Sequence, residues 1–154
     1  MNKMLIASIL LAITTVNYAQ ASTEETHNNI AGIFIGTTTM ESETNFSYAF
    51  EYEYKLSKQW GAGIVYEKTD DANSGEGVDI ALASAYLHPW KELRLGLGFG
   101  QEKLGGNNET ASLVRTSFSY DFHVASFAIE PTLAFDFIND ETATVVGIAF
   151  AKTF

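Results

Sequence analysis

Every second residue of Phe46-Ser47-Tyr48-Ala49-Phe50-Glu51-Tyr52-Glu53-Tyr54-Lys55 is aromatic, and those between are small or charged. Side chains alternate across an extended chain with a period of two, so the stretch predicts a strand with one apolar and one polar face. The pattern recurs. Leu93, Leu95, Leu97 and Phe99 oppose Arg94, Gly96, Gly98 and Gly100, and Val114, Phe118, Tyr120 and Phe122 oppose Arg115, Ser117, Ser119 and Asp121. Phe127, Ile129, Leu133, Phe135 and Phe137 likewise oppose Ala128, Glu130, Thr132, Ala134 and Asp136. Weaker alternation runs through residues 60–68, 78–88 and 145–154, while 30–38 is apolar with ambiguous parity. Together these make eight predicted strands of about nine to eleven residues, the length that crosses a bilayer at a tilt near 45°.

The connections fall into two predicted kinds. Residues 56–59, 89–92 and those around His123 read as short turns. Residues 39–43, 69–77, 104–109 and 138–142 read as longer polar loops, two of them carrying the breaker runs Asp70-Asp71-Ala72-Asn73-Ser74-Gly75 and Gly105-Gly106-Asn107-Asn108. Short turns at one end and longer loops at the other suit an up-and-down barrel in an outer membrane, with both termini on the periplasmic side.

The start of the chain reads differently. Lys3 precedes an apolar stretch, residues 4–16, and Ala19-Gln20-Ala21 fits the small-x-small cleavage pattern of a secretory signal. As a helix those 13 residues would rise only about 20 Å, short of a roughly 30 Å hydrocarbon core. The expected organisation is therefore a signal peptide over 1–21, a flexible periplasmic tail over 22–28 and a barrel over 29–154. No later stretch approaches the length of a spanning helix.

Composition narrows the function classes. The formal charge of −10 argues against a nucleic-acid partner, which requires a basic stripe. With no Cys there is neither a disulfide nor a thiol nucleophile, and His27, His88 and His123 are too far apart in sequence to suggest a metal site. No cofactor is expected. A soluble ligand-binding barrel would place the apolar face inward, but 11 Phe and 7 Tyr are too bulky for a narrow interior. The Gly, Ala and Ser of the other face fill such an interior better, so the aromatic face is expected to meet lipid.

The chain end, Val146-Gly147-Ile148-Ala149-Phe150-Ala151-Lys152-Thr153-Phe154, resembles the C-terminal signature of bacterial outer-membrane proteins. Val146, Ile148, Phe150 and Phe154 match it; Lys152 departs, standing where an apolar residue is usual. The mature chain as a whole resembles small OmpA- or OmpX-like barrel domains. That resemblance implies an eight-stranded antiparallel transmembrane β-barrel in the outer membrane of a Gram-negative bacterium. It also implies that the four matching residues are read by the outer-membrane assembly machinery.

If the polar face points inward, the lumen holds Glu51, Glu53, Lys55, Arg94, Glu102, Arg115, Asp121, Glu130 and Asp136. Side chains fill an eight-stranded barrel, so this mixed-charge set predicts a packed polar plug. A turn near His123 makes Arg115 a neighbour of Glu130, and the 104–109 loop brings Arg94 close to Asp121. His123, Ser126 and Glu130 invite a reading as a catalytic triad. Ser126 and Glu130 would lie about 13 Å apart along one strand, so no enzyme activity is expected. Trp60 and Trp90 flank short turns and suit interfacial anchoring.

The expected role is structural or surface-interacting, with outer-membrane lipid, the assembly machinery and an unidentified surface molecule as partners. Porin-like transport of small or hydrophobic solutes and soluble ligand binding are the alternatives.

Overall fold

The computed structural model describes residues 28–70, 75–106 and 109–154. The expected signal peptide, all of the expected tail except Asn28, and parts of both breaker runs lie outside the described residues. The strands are β1 (Asn29–Met40), β2 (Glu43–Lys55), β3 (Trp60–Thr69), β4 (Val78–Trp90), β5 (Leu93–Leu104), β6 (Thr110–Tyr120), β7 (Phe122–Val124), β8 (Phe127–Ile138) and β9 (Glu141–Thr153). Each pairs antiparallel with its chain neighbour or, across the β6–β7 break, with β8. Pairing of β1 with β9 closes the sheet.

Although nine segments are hydrogen-bonded, the barrel has eight strands. The β6–β8 and β7–β8 pairings keep one register, running from Leu113↔Ile138 to Val124↔Phe127. The break falls opposite Pro131, which has no N–H to offer the ladder. On the other side the strand continues unbroken, since the Asp121 amide donates to the Glu92 carbonyl at 2.7 Å.

Following the pairs once round from Asn29 through Tyr54, Ala62, Ala85, Leu97, Thr116, Phe135 and Thr144 returns to β1 at Thr39, a stagger of ten residues. For eight strands that stagger tilts them by about 41° to the axis. A 12-residue strand such as β1 then spans about 30 Å, enough for a hydrocarbon core.

Two loops expected to be long are tight turns. Met40 pairs with Glu43 across Glu41 and Ser42, which take φ 47° and 77°, and Ile138 pairs with Glu141 across Asn139 (φ 52°) and Asp140. Left-handed residues match the twist of a two-residue hairpin. The polar residues before and after these turns are strand, because the tips of the barrel have no apolar face to maintain. The turn placed at His123 lies at Ala125 and Ser126, with φ 56° at Ala125, and His123 is a strand residue opposite Ala128.

Parity follows the expected division. Phe46, Tyr48, Phe50 and Tyr54 of β2 are exposed on the outer surface, as are Val146, Ile148 and Phe150 of β9. The inner face carries Phe34, Ile80, Leu82, Leu113, Ile138 and Val145 together with buried charge. Phe34 lays its ring over the Gly36↔Gly147 pair; a Cβ on Gly147 would stand 2.5 Å from the ring. The soluble alternative fails here, because it requires the large aromatics inside.

Candidate functional site

Two guanidinium groups organise the lumen. Arg115 of β6 donates from Nε to Asp136 Oδ1 and from Nη2 to Asp136 Oδ2, both at 2.6 Å, and from Nη1 to Glu67 Oε2 at 2.5 Å. Asp136 is its direct partner on β8, and Glu67 reaches it across the lumen from β3. Thr38 donates to Glu67 Oε1 at 3.3 Å, and its hydroxyl continues to Ser47 and then Thr69 at 2.6 and 2.9 Å. This cluster lies in the half of the barrel away from the chain termini. Glu67 and Asp136 are both sealed from solvent.

Arg94 follows the 91–92 turn and lies at the terminal end. It bonds Glu51 at 2.9 Å, lies 3.0 Å from Glu130 Oε2 and 3.6 Å from Glu53, and its guanidinium covers the Tyr86 ring at 5.0 Å. His88 Nε2 meets Glu53 Oε1 at 2.7 Å. Gly61 leaves the space that the Glu53 carboxylate occupies. Acid exceeds base in this cluster: Glu130 Oε2 and Glu53 Oε2 lie near Arg94 without hydrogen-bond geometry, and Asp121 Oδ1 and His88 Nδ1 have no hydrogen-bond partner.

Between the clusters lies a cavity of about 20 Å³, bordered by Glu51, Glu67, Ser84, Arg94, Arg115 and Thr132. That is room for about one water molecule. A second cavity, of about 40 Å³, lies nearer the far end beside Thr38, Thr69, Ile80 and Asp136.

All nine residues expected inside lie at inward parity, but their partners differ from expectation. Arg115 does not meet Glu130, which stands across from Asp121 in the β8 register and joins Arg94. Moving the hairpin tip from His123 to Ala125 and Ser126 shifts every cross-strand partner by several residues. Arg94 stands opposite Ser119, one diagonal step from Asp121, and its ion pairs go elsewhere. Lys55 lies at the terminal rim and Glu102 at the opposite end, apart from both guanidinium groups. Sequence reasoning missed Glu67, His88 and Tyr86. Trp60, Ile64 and Tyr66 mark the outer face of β3, so the same parity rule places Glu67 inside.

Because Arg94 keeps Glu51 when Glu130 is neutralised, Glu130→Gln should leave stability in urea unchanged or raised. Arg94→Ala should lower it strongly. Equal losses in the two variants would contradict this assignment of partners.

The residues considered for a triad are not brought together. His123 is exposed on β7, Ser126 is in the turn and Glu130 is committed to Arg94, and among the described residues no hydrogen bond joins them. No described group of three or more His, Asp or Glu could hold a metal ion.

No protein-family model matches the chain, and no curated protein sequence matches it. Solved structures do. The N-terminal β-barrel domain of Pseudomonas aeruginosa OprF superimposes with a TM-score of 0.56 at 14% identity, over 80% of this chain and 97% of that one. The attachment invasion locus protein Ail of Yersinia pestis gives 0.52 at 12% identity, over 82% and 96%. A de novo designed transmembrane β-barrel gives 0.58 at 12% identity, over 79% and 94%. With the apolar outer face and closed sheet, these likenesses establish the fold as that of a small eight-stranded transmembrane β-barrel.

Proposed function

We propose that the chain is an integral protein of a Gram-negative outer membrane, reached after cleavage of residues 1–21, with a plugged polar lumen and a structural or surface-interaction role. The observation that carries this reading is the pairing of an outward aromatic belt with an interior closed by the Arg94 and Arg115 clusters. A closed barrel satisfies its backbone without water, and lipid covers the belt. Both termini then face the periplasm. The connection over 70–77, the longest at the opposite end, is too short to build a large protruding sheet.

Fractionation combined with gel mobility tests the location. The folded protein should remain with outer membranes and migrate faster before boiling than after it. Recovery as a soluble periplasmic protein would sink the reading. Planar bilayers test the plug: purified protein should give no stable large channels. Steady current that scales with protein, and whose ion selectivity changes in Glu51→Gln, would favour solute transport instead.

A further inference from the structure

The outer surface is uneven around the barrel. Outward positions on β2 are aromatic, whereas those in the middle of β4 are Ala81, Ala83 and Ala85. Ile64 and Tyr66 of β3 and Phe99 of β5 stand 55–58% exposed beside them. Ala81 and Ala83 thus floor an apolar groove running along β4, with Phe50 beyond its β3 wall. Strands two apart are separated by about 10 Å, which leaves the groove wide enough for one acyl chain.

The upper end of this groove, away from the termini, is charged. Lys68, Asp79 and Lys103 stand in register on three adjacent strands, all on the outer face. Tyr66 donates its hydroxyl to Asp79 at 3.1 Å. Among the described residues no ion pair within 4.0 Å engages either lysine, and no other outward cation lies on this half of the barrel. The two ammonium groups flank the Asp79 carboxylate, which takes the Tyr66 hydroxyl, so the row keeps a net positive charge directly above an apolar groove and complements an anionic amphiphile.

We propose that the outer face of β3–β5 is a binding site for a membrane lipid with a phosphate headgroup. Lys68 and Lys103 hold the phosphate, the Gln101 side chain borders it, and one acyl chain lies on Ala81 and Ala83. The site rests on the transmembrane reading of the fold, and on the outer-membrane reading only for the leaflet it faces.

The test uses the protein refolded into phosphatidylcholine bilayers, with spin-labelled phosphatidic acid and spin-labelled phosphatidylcholine as probes. Electron spin resonance measures the protein-immobilised fraction of each. Gel mobility first establishes insertion, so failure to insert counts against the transmembrane reading and not against the lipid site. Inserted protein should prefer phosphatidic acid, and Lys68→Gln and Lys103→Gln should each reduce that preference by about fivefold. Lys152→Gln, at the opposite rim, should leave it unchanged. Ala83→Phe should fill the groove and release the immobilised chain while both lysines remain. No preference in the wild type, or one unmoved by the lysine variants, would overturn the site. A preference that Ala83→Phe leaves intact would overturn the acyl groove, and equal displacement by inorganic phosphate would show an anion site that does not select lipid.

Discussion

Arg115→Ala should lower the stability of the folded barrel by about 3–5 kcal/mol, the cost of leaving buried carboxylates without their cation. Both Glu67 and Asp136 lose their cation at once, at positions only 1% and 0% exposed. Urea unfolding in lipid vesicles gives the measurement. In double-mutant cycles Asp136→Ala should couple strongly to Arg115→Ala, while Glu130→Ala should not, since Glu130 belongs to the Arg94 cluster. An unchanged midpoint for Arg115→Ala, or coupling to Glu130 in place of Asp136, would refute the arrangement. A sharper form removes the whole group. Glu67→Leu, Arg115→Met and Asp136→Leu together should recover most of the loss, because the desolvation penalty of three charges disappears with their attraction.

Loss of the Phe154 ring should harm outer-membrane yield far more than it harms the fold. The ring is 52% exposed on the outer surface at the terminal end, in the position of an interfacial aromatic. Half-exposed, it contributes about 1 kcal/mol of apolar burial, short of the roughly 1.5–3 kcal/mol of a fully buried ring. The Phe154 backbone closes the seam as well, donating to the Asn29 carbonyl at 2.8 Å and accepting from the Asn29 amide at 3.2 Å. Phe154→Ala keeps those bonds and deletion of Phe154 removes them, so the two variants separate ring from seam. In vitro, Phe154→Ala should fold into detergent nearly normally and the deletion less well. In cells, both should fail if the ring is part of the signal read during assembly. Near-normal outer-membrane yield of Phe154→Ala would defeat that role.

The lumen residues were legible because facing is a local property. Ser47, Ala49, Glu51 and Glu53 share parity, and the aromatics beside them are too large for an eight-stranded interior, so the sequence by itself determined which side each faces. It also determined the strand type and, from the spacing of eight alternating segments, the barrel. Strand ends were less legible. Thr39, Glu43, Thr44, Glu141 and Thr142 are polar because they lie near the tips of the barrel, and polarity there resembles a loop. Which charges meet was decided by the tertiary structure alone. An inward parity limits Arg115 to many partners, and only register selects Asp136; Glu67 arrives from a strand that is not a ladder neighbour at all. Register depends on where each hairpin turns, so placing one tip at His123 instead of Ala125 and Ser126 exchanged Glu130 for Asp136. A partner across the lumen depends further on the ten-residue stagger, which exists only when β9 has closed on β1.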